Sequence, residues 1–250
     1  ASRAALPAAY QSLAGAVLRE WRWRTPAAVG AGGRGPPPPL DRVHARVGEW
    51  LRAGRTEREV GADIADAIIA EGHVRVDFVI VGSGPNAASP HHDLSDRVIE
   101  TGDVVVVDIG GTTADGYCSD ETRTYGIGEP PAEFRRYYDV LERAQAAQLA
   151  AVRPGLTCEA LDAVGRDIIT EAGYGEYFIH RTGHGIGLES HEEPYIVAGN
   201  RLPLEPGMAF SIEPGIYIPG THGARIEDIV VCGEDGGDPM NLRPHGLVVL

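Results

Sequence analysis

Two stretches of this chain place acidic residues where ordinary surface charge is not expected. The β-branched run Val104-Val105-Val106-Val107 ends in Asp108, a turn region with Asp115-Gly116 follows, and the chain continues as Tyr117-Cys118-Ser119-Asp120-Glu121-Thr122-Arg123-Thr124-Tyr125. Two strands joined by a loop fit that pattern. Folding about position 114 sets Asp108 opposite Asp120, and facing residues on paired strands lie about 4.5–5.5 Å apart at Cβ. The pattern returns later: Met208 to Glu213 reads as a strand, Pro219-Gly220-Thr221-His222-Gly223 as a turn, and Ala224 to Val231 as a strand again. Folding about position 220 sets Glu213 opposite Glu227. Carboxylates this close repel unless something neutralises them. One such pair is common on an exposed edge or beside an arginine such as Arg123 or Arg225. Two hairpins sharing the device suggest a pseudo-twofold body of two similar halves, each supplying two acids.

Between the hairpins lies Ile179-His180-Arg181-Thr182-Gly183-His184-Gly185-Ile186-Gly187-Leu188-Glu189-Ser190-His191-Glu192-Glu193-Pro194, which holds three of the nine histidines. A lone histidine is more often a satisfied core or surface residue. Three at spacings of four and seven, among glycines that admit close backbone approach, point to a metal or catalytic site. Four carboxylates and an imidazole form an oxygen-rich donor set suited to Mn²⁺ or Co²⁺, with Zn²⁺ possible. Two divalent cations balance four carboxylates, and a bridging hydroxide on such a pair is a nucleophile for amide hydrolysis near pH 7. Other hydrolytic and nucleotide chemistries fit worse. There is no G-x-S-x-G elbow, Gly82-Ser83-Gly84-Pro85-Asn86 lacks the end of a phosphate loop, and His191-Glu192-Glu193 runs into Pro194 rather than a zinc helix.

The elements that must position these groups read as a mixture of helices and strands. Val43, Val47, Trp50 and Leu51 fall at helical spacing, and Thr56 with Glu59 forms a capping box for a helix carrying Val60, Ile64, Ala67 and Ile68. Strands are expected at 76–81, 103–109 and 119–127. A long helix is expected over 131–152, and another opens at Thr157 and runs through Ile169. The order is not a strict βα repeat, so the fold class is α+β. Residues 1–40 stand apart: they are rich in Ala, Gly, Arg and Pro and contain Pro36-Pro37-Pro38-Pro39, which cannot sit inside a helix or a central strand. This lead-in is expected to be poorly packed, with a short helix near Ala8 to Glu20, and the globular core to begin near Leu40.

Hydrophobic residues make up 43% of the 250, enough for a sizeable core, and 36 acidic against 22 basic residues give a net charge of −14. That balance argues against a nucleic-acid partner. Cys118, Cys158 and Cys232 are odd in number and widely spaced, which suits buried thiols in a reducing cytosol rather than a disulfide framework. No apolar run reaches membrane-spanning length and no secretory signal opens the sequence, so a cytoplasmic location without membrane association is expected.

Taken in order, several motifs resemble the pita-bread (M24-type) metallopeptidases. They are Ser83-Gly84-Pro85-Asn86-Ala87-Ala88-Ser89-Pro90-His91-His92, Val107-Asp108-Ile109-Gly110, Tyr117 to Thr124, His180 to Leu188, Ser211-Ile212-Glu213-Pro214-Gly215 and Arg225-Ile226-Glu227-Asp228. The branch most similar is that of the Xaa-Pro aminopeptidases and Xaa-Pro dipeptidases (prolidases). The resemblance runs over about 41–250, and it implies a pseudo-twofold antiparallel sheet flanked by helices and a catalytic domain of that extent. It implies two divalent metal ions, Mn²⁺ foremost, held by Asp108, Asp120, His184, Glu213 and Glu227, with Asp120 and Glu227 bridging. It further implies that Glu213 helps deprotonate the bridging water, and that His91 and His191 contact the scissile peptide and stabilise its tetrahedral intermediate. His180, Tyr217 and Arg225 match positions that shape the proline subsite or relay protons. His92 and His222 read as ordinary surface histidines.

The reaction so implied is hydrolysis of the N-terminal Xaa-Pro bond of short peptides, with a homodimer as the expected assembly. Removal of N-terminal methionine, non-hydrolytic peptide binding and metal-free C–N hydrolysis of the creatine type are the competing readings. Two departures from the family stand out. Eleven residues separate Asp108 from Asp120, one more than in many relatives, and the extra residue is expected in the turn. Relatives of this branch carry an N-terminal domain of a hundred or more residues, so the 1–40 lead-in reads as the remnant of a lost one.

Overall fold

The computed structural model describes residues 38–250. The helix expected near Ala8 to Glu20 and the rest of the lead-in up to residue 37 lie outside the described residues. Chain order runs α1 (Pro39–Arg46), α2 (Glu57–Ala70), β1 (His73–Ser83), β2 (Val104–Thr113), β3 (Cys118–Gly126), α3 (Ala132–Ala151), α4 (Cys158–Glu171), β4 (Gly183–Gly185), β5 (Glu192–Ile196), β6 (Ala209–Ile212), β7 (Gly215–Ile218), β8 (His222–Arg225), β9 (Asp228–Cys232), β10 (Gly237–Pro239) and β11 (Val248–Val249). The proline run does enter a helix: Pro38 is the N-cap of α1 and Pro39 its first residue. That position needs no N–H donor and suits the fixed proline φ.

The two halves start alike. Helix α2 is opened by Thr56, whose Oγ1 accepts from the Glu59 amide at 3.2 Å while the Glu59 carboxylate accepts from the Thr56 amide at 2.9 Å. Helix α4 is opened by Thr157, whose Oγ1 accepts from the Ala160 amide at 3.3 Å. Both helices have 14 residues. Both capping threonines also form an isolated β-bridge to a residue well downstream, Thr56 with Val98 and Thr157 with Pro203. This repetition is the pseudo-twofold plan that the paired acidic hairpins suggested.

The strands form a four-stranded sheet in the order β1-β2-β3-β11, a five-stranded sheet in the order β10-β9-β6-β4-β5, and the β7-β8 ribbon. All pairings are antiparallel except the short β11, which runs parallel to β3. The unbroken valine run of β2 is explained by cover on both faces. Val105, Val107 and Ile109 pack against Val43 of α1 and Val60, Ile64 and Ile68 of α2. Val104 and Val106 join a second cluster with Phe134, Tyr137 and Leu141 of α3 and Ile216, Ala224 and Ile226 of the β7-β8 region. A strand covered on both sides reads as continuously apolar, and each fully buried side chain of this size contributes about 1.5–3 kcal/mol. The third cluster seats α4, through Leu161, on Ile196, Phe210, Ile212 and Val230. Cys118, Cys158 and Cys232 are buried and unpaired. No helix among the described residues is long and apolar enough to cross a membrane.

The first hairpin folds about Asp115, one residue beyond the expected midpoint. Thr113 and Tyr117 close the loop, the Thr113 amide donating to the Tyr117 carbonyl at 2.8 Å, and Gly116 takes the left-handed φ of +87° that the turn requires. Asp108 therefore stands opposite Thr122, and Asp120 opposite Gly110, so the two acids are diagonal rather than facing. The second hairpin folds about Gly220 as expected. Ile212 pairs with Asp228 and Gly215 with Arg225, so Glu213 and Glu227 occupy opposed positions in the break between two ladders.

Candidate metal centre

Residues of even number on β2 and β3 point into the space between the two sheets, which brings Asp108, Asp120 and Thr122 onto one inner face. The second hairpin meets that face directly. The Glu227 amide donates to the Thr122 carbonyl at 3.1 Å, and Thr122 Oγ1 donates to Glu227 Oε2 at 2.6 Å. His184 arrives from β4, whose close approach to β6 requires Gly183: a Cβ there would lie 1.9 Å from the Ser211 carbonyl oxygen. The His184 amide donates to Ser211 Oγ at 3.0 Å, and Ser211 Oγ in turn donates to Glu213 Oε1 at 3.1 Å.

The His184 ring is oriented by its Nδ1, which lies 3.1 Å from the Gly185 carbonyl oxygen and must donate to it. Burial, then the nearby His191, pushes the His184 pKa down to about 3, so the ring is neutral and Nε2 carries a lone pair. That lone pair faces Glu213 Oε1 at 3.3 Å and Asp120 Oδ2 at 3.8 Å. His184 thus presents a lone pair to two carboxyl groups at once. Ligand atoms of Asp120, His184 and Glu227 lie within 4.8 Å of one another. Asp108 Oδ1, Asp120 Oδ1 and Glu227 Oε1 are buried without a hydrogen-bond partner. Buried polar atoms are rarely left so, and a donor set of this kind fits a divalent cation.

The electrostatics agree. Burial first, and then the charges of Glu227, Asp108 and Glu213, raise the Asp120 pKa well above the carboxylate range. Glu227 is raised in the same way by burial and by Glu213 and Asp108. Burial lifts Glu213 to about 7, with Arg225 opposing. The charges of Asp108 and Glu213 bear on both Asp120 and Glu227, so the four acids share one charge-dense site that positive charge would stabilise. An apolar cavity of about 40 Å³, lined by Cys118, Ile186, Ile229, Val231 and Met240, adjoins Asp120 and gives that side of the site a low-dielectric wall.

A directed hydrogen-bond chain leaves the acids on the β7-β8 side. Arg225 Nη2 makes a short contact with Asp108 Oδ2, its Nε donates to Thr122 Oγ1 at 3.2 Å, and its Nη1 donates to Tyr217 Oη at 2.7 Å and to the Pro90 carbonyl at 3.3 Å. His180 Nδ1 donates to the Arg181 carbonyl at 2.7 Å, so its Nε2 accepts from Tyr217 Oη at 2.9 Å. Burial and then Arg225 hold His180 down to about 3, and burial raises Tyr217 to about 12, so both are neutral links. His191 is exposed, its ring centroid 4.0 Å from that of His184. His91 is also exposed and lies near both His180 and His191.

The structure therefore brings Asp108, Asp120, His184, Glu213 and Glu227 to one place, with His180, Tyr217 and Arg225 on one flank and His91 and His191 at its mouth. The two histidines expected at the surface are placed otherwise. His222 is buried with Nδ1 2.8 Å from Tyr137 Oη, because β8 lies against α3, and His92 Nε2 lies 2.7 Å from the buried Glu57. Thr122 and Ser211, which orient Glu227, His184 and Glu213, were not singled out in the sequence. Each lies two residues from a candidate ligand on the same strand face, the one local signal available.

Comparison with known proteins places this geometry in context. The family described as Metallopeptidase family M24 matches residues 40–234. The probable dipeptidase PepE of Mycobacterium tuberculosis is 64% identical over 211 residues, covering 84% of this chain and 56% of that protein. The Xaa-Pro dipeptidase of Lactobacillus delbrueckii subsp. lactis is 48% identical over 204 residues, covering 81% and 55%. The crystal structure of dipeptidase PepE from Mycobacterium ulcerans superposes with a TM-score of 0.83 at 56% identity, covering 98% of this chain and 60% of that one. The pita-bread fold expected from the motifs is the fold observed. The chain spans little more than half the length of the curated relatives it matches.

Proposed function

The chain belongs to metallopeptidase family M24, and from that premise we propose that it is an exopeptidase that hydrolyses the bond after the N-terminal residue of short peptides, with proline in second place. The observation that carries this is the unprotonated His184 Nε2 aimed at Glu213 and Asp120, beside buried carboxylate oxygens that have no partner. Two divalent cations, Mn²⁺ foremost with Co²⁺ or Zn²⁺ as alternatives, would be held by Asp108, Asp120, His184, Glu213 and Glu227, and would supply Lewis acidity and a water of lowered pKa. Glu213, whose Oε1 is already steered by Ser211 Oγ, takes the proton of the attacking water. His191 and His91, at the mouth, donate to the carbonyl oxygen as its charge develops. Arg225 fixes Asp108 from behind and, with Tyr217 and His180, forms the wall against which the second residue rests. That wall ends in a neutral imidazole and a phenol, surfaces suited to a proline ring rather than to a charged side chain.

The catalytic body of this reading is residues 41–250, and residues 1–40 are a lead-in to it. The three buried, unpaired thiols suit a reducing cytosol. A homodimer is the expected assembly. Names of relatives support the substrate class, since several are called Xaa-Pro dipeptidases. The deciding experiment is a Mn²⁺-reconstituted assay of Xaa-Pro, Xaa-Pro-Yaa and Met-Ala peptides. Cleavage after the first residue of the proline substrates is expected, and Asp120→Ala should abolish it together with Mn²⁺ binding. Preference for Met-Ala would replace the substrate assignment with methionine removal, and undiminished turnover by Asp120→Ala would remove the metal mechanism.

A further inference from the structure

One acidic residue outside the metal centre gathers more donors than any local rule requires. Glu57, the first residue of α2, is 0% exposed. Its Oε1 accepts from the Ser83 amide at 2.8 Å, Ser83 Oγ at 2.7 Å and Asn86 Nδ2 at 3.0 Å. Its Oε2 accepts from Ser95 Oγ at 2.5 Å and His92 Nε2 at 2.7 Å, with Asn86 Nδ2 also at 3.2 Å. Every one of these donors lies between Ser83 and Ser95, the segment that carries His91. The backbone repeats the pattern: the Arg58 amide donates to the Ser95 carbonyl at 3.0 Å and the Glu57 amide to the Arg97 carbonyl at 3.1 Å. Residues 89–97 have no regular secondary structure of their own.

The same segment is tied from the other side, where Arg225 Nη1 donates to the Pro90 carbonyl. His91 is thus the residue between two anchors. Pro90 is fixed to the guanidinium that also holds Asp108, and His92 is fixed to Glu57. A helix N-terminus alone would be satisfied by any acid pointing to solvent. Glu57 instead turns inward, and although burial raises its pKa, the hydrogen bonds from Ser95, Ser83 and His92 outweigh that and lower it overall. An ionised carboxylate has about four acceptor positions and no donor of its own, so it alone can face this many donors, with Asn86 Nδ2 straddling its two oxygens. Glutamine has an amide N–H₂ that must face some of those donors.

We infer that Glu57 is a positioning residue for hydrolysis: it clamps the Ser83–Ser95 segment so that His91 is presented to the metal centre. This rests on the role given to His91 in the proposed function. A clamp that acts through His91 makes three demands. Glu57→Gln should lower kcat on an Xaa-Pro substrate roughly tenfold to a hundredfold, the effect of a small misplacement of a reacting group, with KM changing less than about threefold. Mn²⁺ affinity should be unchanged, because no candidate ligand touches Glu57. In a His91→Ala background the same substitution should cost less than about twofold further, since the group being positioned is gone.

The experiment is that double-mutant cycle with the full chain, measured alongside Mn²⁺ titration and hydrogen exchange of the amides in 84–97. Equal losses in both backgrounds, or a parallel loss of Mn²⁺ affinity, would overturn the inference and leave Glu57 a general stability residue. Unchanged turnover by His91→Ala would fell the functional reading of His91 and with it the positioning role. Exchange in 84–97 reports the clamp separately, and protection that persists in Glu57→Gln also overturns it. If Glu57→Gln is too unstable to assay, His92→Leu, which removes one donor and leaves the carboxylate, must give the same non-additivity.

Discussion

The charge-dense site makes a quantitative demand on the metal-free protein, and Glu213 is the residue through which to measure it. Burial raises its pKa from 4.5 to about 7. Between those two values the folded protein keeps a proton on Glu213 that the unfolded chain has released. The slope of unfolding free energy with pH is set by protons bound unfolded minus folded, so it is negative here, about −1.4 kcal/mol per pH unit. Stability from this group is present in full below pH 4.5 and is lost as pH rises towards about 7, a total on the order of 3 kcal/mol. Other groups run the opposite way. His184, lowered from 6.5 to about 3, gains stability as pH rises through that window, so the raw pH profile of the wild type hides the effect. The difference between wild type and Glu213→Gln isolates it. In urea unfolding with a chelator present, wild-type stability minus variant stability should fall by about 3 kcal/mol from pH 4.5 to 7 and level off above. Relief of Asp120 and Glu227, both of which feel the Glu213 charge, adds to the change in the same direction. Saturating Mn²⁺ should raise wild-type stability relative to the variant, because wild type gains about 2.7 kcal/mol for each hundredfold excess over its Kd and the variant, short of a ligand, gains less. A difference that stays flat with pH would refute the claim that burial and mutual repulsion hold Glu213 protonated.

Two further outcomes test the scaffold. His44 is fully buried between Tyr125 Oη at 2.9 Å and the Glu121 carbonyl at 3.3 Å, and burial lowers its pKa to about 3. It therefore contributes stability above pH 6.5 that is lost as pH falls, at about 1.4 kcal/mol per unit. His44→Leu should flatten the acid limb of the stability profile by that slope, whatever it costs at neutral pH. Gly183→Ala forces a methyl group into the Ser211 carbonyl, so it should destabilise the fold by about 3 kcal/mol or more in thermal unfolding, and weaken Mn²⁺ binding by displacing His184.

How much of this was legible from the chain follows from the range of the interactions. The capping threonines, the helices they open and the presence of two acids on each hairpin are local features, and they are legible in the sequence. The midpoint of the first hairpin was misplaced by one residue, because the loop closes at Thr113 and Tyr117 through a left-handed Gly116 rather than symmetrically about 114. The consequence was small for a definite reason. Moving the fold point by one whole residue shifts every partner by two, and side chains two apart share a face. Asp108 exchanged Asp120 for Thr122 as its opposite number, yet all three still point inward. A shift of half that size would have sent one acid to the helix-covered face beside Ile109.

Parity is thus what the sequence determined, while the groups that satisfy each side chain were set by tertiary contact. Glu57 shows the limit. By sequence it is one more acid in the first turn of a helix, unremarkable beside the capping box of Thr56 and Glu59. Its partners stand 26 to 38 residues away, from the end of β1 to the irregular run that follows, and no periodicity links the two. Arg225 is the opposite case: the resemblance of Arg225-Ile226-Glu227-Asp228 to the family made it a candidate, but its grip on Pro90 could only be found in space. The same guanidinium then orients Asp108, a candidate ligand, the phenol of Tyr217 and the loop bearing His91. A substitution there cannot be assigned to one role, and a rate loss in Arg225→Lys would reflect all three at once. Glu57 touches only the loop, which is why the cycle with His91, rather than any variant of Arg225, separates presentation of the histidine from assembly of the metal centre.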